Sequence, residues 1–86
     1  MKFTKTKLFG SVFYLDLGKE LPTSFEGYEF THKGEKYFIP CKPLEFQTSK
    51  YNVMTLSSTD VLHQLSDTMC YGETFKEVKR MINYML

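Results

Sequence analysis

Two cysteines and two histidines are the side chains in this 86-residue sequence with the greatest capacity for chemistry. A histidine beside a cysteine can generate a nucleophilic thiolate, and two of each can hold a tetrahedral zinc ion. Their order along the chain is His32, Cys41, His63 and Cys70. Paired zinc ligands usually have about two to five residues between them, and no two of these residues are that close. The spacing favours neither a zinc site nor a local nucleophile pair, and we expect Cys70 to be a small core residue.

The other polar residues form no catalytic or nucleotide-binding motif. The sequence contains no glycine-rich phosphate loop, dinucleotide fingerprint, nucleophile elbow or zinc-protease helix motif. Carboxylates are scattered, as on solvated surfaces: Asp16, Glu20, Glu26, Glu29, Glu35 and Glu45. We therefore expect a protein that is not an enzyme, with no catalytic residues, no metal and no cofactor. A small enzyme that relies on Cys41 or Cys70 is the lowest-ranked alternative.

The elements that would position any site are clearest at the C-terminus. Thr74 precedes Glu77 by three residues, which is the spacing of a capping box at the start of a helix. Apolar residues then recur at helical spacing: Phe75, Val78, Ile82 and Met85. This pattern predicts an amphipathic helix from about residue 75 to the C-terminus, with its apolar face packed against the rest of the chain.

The segment Tyr71-Gly72-Glu73-Thr74-Phe75-Lys76-Glu77-Val78 resembles the G-[DE]-T-x-x-E-A ending of HicB-type antitoxins and of many small phage proteins. The resemblance covers eight residues, and Val78 stands where the family has alanine. It implies that a strand ends at Gly72 and that Thr74 caps a helix packed on a sheet.

Strands are predicted upstream of this helix. Residues 8–17 form the best N-terminal strand, preceded by a solvated strand or tail over residues 1–9. Glycine and proline predict a loop over residues 18–24. Residues 28–31 and 36–39 alternate as the two arms of a hairpin, whose turn at residues 32–35 includes a glycine.

The middle of the chain is less clearly patterned. Residues 44–48 alternate like a short strand, which we expect to form a second hairpin with residues 51–56. Residues 59–66 could form a short helix, whereas residues 61–65 could instead form a strand that turns back on 51–56 around residues 58–60. The stretch is too short for its apolar periodicity to distinguish a helix from a strand. We favour the strand because it leads directly into the C-terminal helix.

These elements predict an α+β fold in a single domain over residues 1–86, with an antiparallel sheet of four or five strands. The C-terminal helix packs on one face of the sheet. Apolar residues make up 42% of the chain and charged residues 24%, a composition typical of globular proteins. Because the chain has no alanine or tryptophan, its core must be built largely from phenylalanine, tyrosine and branched residues.

Charge and composition indicate where in the cell the protein acts and which kinds of partner are disfavoured. The net charge is +1, and Arg80 is the single arginine beside ten lysines, which weighs against sequence-specific DNA recognition. The first ten residues lack a signal-peptide core, and no apolar run reaches the roughly 18 residues of a membrane span. We expect a cytoplasmic protein with two reduced thiols and no membrane association. The lysine-rich, alanine-free composition suggests an AT-rich genome, as in a low-GC bacterium or a mobile element.

By elimination, the sequence predicts a small non-catalytic protein that binds and modulates another protein. We expect a phage or mobile-element origin, with an inhibitor of a host defence nuclease (an anti-CRISPR protein, for example) as the model. Binding is expected on sheet edges and on loops 18–24, 32–35 and 41–50. The candidate partner-binding residues are Tyr28, Glu29, His32, Glu35, Tyr37 and Glu45.

A nucleic-acid-binding accessory protein is the alternative. It would use the N-terminal Lys2, Lys5 and Lys7 together with aromatic residues on the sheet: Tyr14, Tyr28, Phe30, Tyr37 and Phe38. Because a core without alanine or tryptophan needs its aromatics for packing, we favour a core role for these rings. The oligomeric state is left open.

Overall fold

Five strands close into a barrel, and a helix follows at the C-terminus. The computed structural model describes residues 2–44, 47–65 and 70–86. Along the chain the elements are β1 (Thr4–Tyr14), β2 (Lys19–His32), β3 (Glu35–Pro40), β4 (Tyr51–Asn52), β5 (Met54–Leu56), β6 (Val61–Gln64), β7 (Tyr71–Gly72) and α1 (Phe75–Met85). The barrel order is β1-β2-β3-β5-β6, while β4 and β7 form a separate two-stranded sheet.

The closure of the barrel corrects the expected open sheet. Each strand is antiparallel to the one before it in the barrel order, so the first and fifth strands run in the same direction. An odd number of alternating strands can close only through one parallel pair. That pair is β1 with β6, in which Ser11 lies beside Val61 and Val12 beside Leu62. The sequence prediction of strands followed by one helix is confirmed. We call the β1–β6 pair the seam, and the sheet is a barrel because the seam forms.

The longest hairpin joins β1 to β2 and contains residues 18–24, which were predicted to be a loop. That prediction is wrong from Lys19 onward, because β2 begins there and pairs with Tyr14. Pro22 lies inside the strand, opposite Ser11. The N–H of Ser11 points away from β2, to the carbonyl of Asp60, so Ser11 and Pro22 form a non-hydrogen-bonded pair. The proline nitrogen therefore faces an edge where no ladder bond is lost.

The second hairpin, between β2 and β3, matches its predicted turn. Tyr28 pairs with Ile39 and His32 with Glu35. Lys33 and Gly34 both have positive φ, at 52° and 81°, as a tight hairpin turn requires. The predicted strand alternative for residues 61–65 is also confirmed, because β6 pairs antiparallel with β5.

The predicted pairing of residues 44–48 with residues 51–56 is wrong. Leu44, Gln47 and Thr48 lie outside the strands, and Glu45 and Phe46 lie outside the described residues. Residues 51–56 pair instead with β3, β6 and β7. The side-chain oxygen of Gln47 accepts a hydrogen bond from the N–H of Leu44, at 2.9 Å.

Alternation along the strands divides the apolar residues into two clusters. One fills the barrel: Val12, Phe25, Phe38, Met54, Leu56 and Leu62. The other lies between the barrel wall and α1: Phe30, Tyr37, Ile39, Val53, Cys70, Val78 and Ile82. Phe38 and its neighbours Tyr37 and Ile39 thus face opposite sides of the same strand.

The C-terminal helix begins as predicted. The Thr74 hydroxyl accepts a hydrogen bond from the Glu77 N–H at 3.2 Å, and the preceding strand ends at Gly72. Val78 and Ile82 are fully buried against the barrel wall. Met85, which was expected on the buried face, is 42% exposed at the last turn of the helix.

Candidate functional site

The two tyrosines predicted to bind a partner face the helix. The Tyr28 ring lies 4.8 Å from the Phe75 ring, between centroids. Tyr37 is buried and stacks on Phe30 at 5.3 Å. Both rings therefore contribute to the cluster between the barrel wall and α1. This agrees with the expectation that the aromatic residues of the sheet are used for packing.

The predicted polar residues divide between two faces of β2. Glu29 forms an ion pair with Lys36 at 3.1 Å, across the hairpin. His32 faces the opposite side of the strand and pairs in register with the exposed Glu35. Glu45 lies outside the described residues. The structure thus brings His32 and Glu35 together at one hairpin end but does not gather the described candidates into one surface.

The two cysteines and the two histidines, the side chains with the greatest capacity for chemistry, lie in separate surroundings. Cys70 is buried in the helix cluster, and this burial raises the pKa of its thiol to about 11. Cys41 is a half-buried free thiol at the end of β3, and the His63 ring stacks on Phe13 at 5.2 Å. Within residues 2–44, 47–65 and 70–86, no three His, Cys, Asp or Glu side chains are grouped as metal ligands.

The segment after β3 and the middle of β2 together line a surface cavity of about 390 Å³. The N–H of Cys41 donates to the carbonyl of Glu26 at 2.9 Å, which holds the segment after β3 against β2. The cavity is lined by Ser24, Phe25, Glu26, Pro40, Cys41, Lys42, Pro43 and Leu44. Its lining mixes apolar rings with one charge of each sign, Glu26 and Lys42.

The strongest surface feature is the hairpin between β1 and β2. Among the described residues, seven large apolar side chains are exposed, and four belong to this hairpin. Phe9 is 77% exposed, and three leucines at the end of the hairpin are 66% (Leu15), 54% (Leu17) and 38% (Leu21) exposed. We call the three leucines the hairpin tip. A cavity of about 210 Å³ adjoins it, lined by Tyr14, Leu15, Asp16 and Gln64.

Sequence reasoning missed the hairpin tip because it extended the first strand to residue 17. Leu15 and Leu17 then alternated with Asp16 as an apolar face. In the structure, the N–H groups of Leu17 and Gly18 both donate to the carbonyl of Tyr14, and Gly18 has φ of 64°. The sequence Asp16-Leu17-Gly18 was the available turn signal, since an aspartate followed closely by a glycine is typical of tight turns.

The same hairpin leaves backbone groups unpaired on both sides. The Ser11 N–H points away from β2, and this direction repeats at every second residue of β1. The backbone N–H groups of Lys5, Lys7 and Phe9 therefore also point away from β2. Among the described residues, the pairing of β1 with β6 involves only Ser11 and Val12 of β1. No described residue pairs with β1 between Lys5 and Phe9 on that side, and we call these residues the β1 free edge.

No helix in the described part of the chain has the length and apolar character needed to cross a membrane. Comparison of the chain with protein-family models, with curated proteins and with solved structures finds no match in any of the three.

Proposed function

We propose that this chain is a small non-catalytic protein that binds and modulates another protein, and that the hairpin tip is a principal contact. The observation that carries the proposal is the placement of three exposed leucines in and beside the turn of one hairpin. Exposed apolar groups scattered singly are normal, whereas a group at one projecting point is typical of an interaction surface.

The leucines of the hairpin tip are available because both cores are complete without them. Val12, which lies opposite Leu21 in the ladder, is fully buried in the barrel, whereas Leu21 is not. Burial of a leucine side chain stabilises a complex by roughly 1.5–3 kcal/mol before the costs of association are subtracted. The three leucines, which are 38–66% exposed, can therefore supply part of the binding energy of an interface.

The composition supports a particular form of this function. The form we propose is an inhibitor of a host defence nuclease, encoded by a phage or mobile element and acting in the cytoplasm. Small size, a composition typical of AT-rich genomes and a binding surface without catalytic groups fit such an inhibitor. The direct test is nuclease activity of candidate host enzymes with and without the purified chain.

The general proposal is tested by affinity capture from host lysate with matched variants. The combined change Leu15→Ser and Leu17→Ser removes apolar surface from the hairpin tip without touching either core. The control is Tyr84→Ser, because Tyr84 is 87% exposed on α1. We expect one specific protein to be captured by the parent and the control and to be lost with the double variant. Capture of no specific protein, or equal capture by all three chains, contradicts the proposal.

Nucleic-acid binding is the second candidate, supported by one surface. Lys5, Lys7 and Phe9 are exposed and alternate on the outer face of β1, where lysines could contact phosphate and the ring could stack on a base. The Glu26 carboxylate lies 3.7 Å from the Lys5 ammonium and offsets part of this charge. Retention on single-stranded DNA that falls steeply with salt would favour this function.

A further inference from the structure

The two edges of the β1–β2 hairpin differ in how well they resist strand addition. On β2, the edge-facing residues beyond the β3 ladder are Glu20, Pro22 and Ser24. Pro22 has no N–H to offer at the centre of that edge, and proline is a common protection against pairing with another chain. The β2 edge is therefore a poor template for an added strand.

The β1 free edge has no such interruption. Lys5, Lys7 and Phe9 each present an N–H and a carbonyl on the same side, and the ladder to β2 is regular throughout. An extended segment can therefore pair with it over five residues. Among the described residues the neighbouring strand, β6, reaches β1 only at Ser11, beyond the end of this edge.

The side chains beside this edge indicate what would pair there. Lys5, Lys7 and Phe9 project outward, with Phe9 largely exposed. Thr6 and Leu8 project toward the barrel, where Leu8 packs partly against the interior cluster. An added strand meets lysines and an aromatic ring on one face and a threonine and a leucine on the other. Acidic side chains opposite the lysines and apolar ones opposite Leu8 match this pattern.

The geometry points to strand addition at the β1 free edge by an extended, acidic and apolar segment of the partner protein. This inference deepens the proposed function and rests on it, since it names the chemistry of the partner. The backbone groups supply hydrogen bonds that any sequence can make, and the lysines select acidic side chains. The lysines also repel an edge that is itself basic, which disfavours a second copy of this chain in the same role.

A synthetic peptide tests the inference directly. The probe is the end-blocked hexapeptide Phe-Val-Glu-Val-Glu-Thr, whose antiparallel pairing sets the two glutamates opposite Lys7 and Lys5. One control peptide carries lysines in place of the glutamates, and another carries an N-methyl group on the first glutamate. We expect the probe to bind, the lysine peptide not to bind, and N-methylation to weaken binding by about tenfold through loss of one hydrogen bond.

Two substitutions at one position separate the backbone from the charge. Lys7→Gln removes the charge alone, while Lys7→Pro removes the charge and also an N–H that bonds to no described residue. The backbone contribution is the difference between the two variants. We expect Lys7→Pro to weaken probe binding by about tenfold and Lys7→Gln by about threefold. Circular dichroism checks that both variants fold, and the N-methylated peptide gives the same backbone test on the unaltered chain.

Amide hydrogen exchange locates the contact. The N–H groups of Lys5, Lys7 and Phe9 should exchange rapidly in the free chain and slowly with the probe. Absence of probe binding overturns the inference. So does probe binding that N-methylation leaves unchanged and that Lys7→Pro weakens no more than Lys7→Gln does. Slow exchange at these amides in the free chain also overturns the inference, because the edge is then already paired. Slow exchange that increases with protein concentration has the same consequence, because it reveals pairing between two copies of the chain.

Nucleic acid is distinguished in the same experiment with an oligothymidine probe. One outcome is that Lys7→Gln and Lys7→Pro abolish oligothymidine binding equally, while hexapeptide binding is unchanged by N-methylation and no weaker with Lys7→Pro than with Lys7→Gln. The edge is then a phosphate contact, and strand addition is overturned. If the hexapeptide fails while lysate capture still depends on Leu15 and Leu17, only the edge inference falls. If lysate capture fails while the hexapeptide binds the edge, only the role proposed for the hairpin tip falls.

Discussion

Gly10→Ala should open the barrel at its seam. Gly10 lies on β1 beside the turn between β5 and β6, and a Cβ atom at this position would overlap the backbone carbonyl of Asp60. It would also lie 3.0 Å from the Asp60 Cβ. Asp60 cannot easily move away, because it holds φ of 60° in a turn and its carbonyl accepts the Ser11 N–H at 3.0 Å. The methyl group must therefore displace β1 from β6.

The loss of stability follows from two terms. Displacement breaks the Ser11 hydrogen bond, worth about 1 kcal/mol, and forces a backbone shift that costs about 1–3 kcal/mol. The sum is roughly 2–4 kcal/mol. A chain of this length is stable by roughly 4–13 kcal/mol, so the variant should remain folded with a clearly lower urea midpoint.

Gly18→Ala is the matched control. Gly18 has a positive φ of 64°, but a Cβ there meets nothing within 4 Å. We expect Gly18→Ala to lose only the roughly 1–2 kcal/mol of left-handed backbone strain. Amide exchange at Ser11 discriminates the two changes more sharply than stability does, because protection should be lost in Gly10→Ala and kept in Gly18→Ala. Retained Ser11 protection in Gly10→Ala, with a urea midpoint at or above that of Gly18→Ala, would refute the reasoning.

Four further predictions concern the helix cluster, His32 and the two thiols. Val78→Asp places a carboxylate in the fully buried helix face and should unfold the domain by circular dichroism, and a folded variant would show that the core assignment is wrong. The Nε2 of His32 is buried without a hydrogen-bond partner among the described residues, so His32→Leu should leave the urea midpoint unchanged or raise it by the equivalent of about 1 kcal/mol, and a clear loss would contradict this. One thiol should react rapidly with a thiol reagent at pH 8, and Cys41→Ser should abolish that fast phase, because the pKa of the buried Cys70 is raised from 9.0 to about 11. The folded chain then binds the Cys70 proton more tightly than the unfolded chain does, so its stability should fall by roughly 2 kcal/mol between pH 9 and pH 11, a loss that Cys70→Ser should remove.

Local signals in the sequence were sufficient for the elements whose structure depends on local interactions. The Thr74–Glu77 cap and the apolar spacing after it determine α1, because both act within a few residues. The hairpin turn at Gly34 is similarly local. Burial of Tyr37 also follows from composition, since a core without alanine or tryptophan needs its aromatic rings.

The barrel and the hairpin tip depended on contacts that the sequence pattern does not express. Pro22 normally indicates a loop, and its tolerance in β2 follows only from the direction its nitrogen faces after pairing with Ser11. The exposure of Leu15 and Leu17 depends on a turn three residues earlier than the alternation suggested. The candidate partner residues were chosen for their types, and the sequence pattern does not express the packing and ion-pair contacts that several of them make within the chain.

The single parallel pair between β1 and β6 has a consequence for how the chain assembles. Every antiparallel pair in the barrel except β3–β5 joins strands that follow one another closely, whereas this pair brings together residues about 50 positions apart. Closing a flexible loop of that length costs roughly 3–4 kcal/mol of chain entropy, and only two residues on each strand meet there. The seam should therefore form late in folding and open first under mild denaturant. When it opens, the unpaired edge of β1 lengthens from Phe9 toward Tyr14, so fluctuation of the seam would control the length of strand that a partner could pair with.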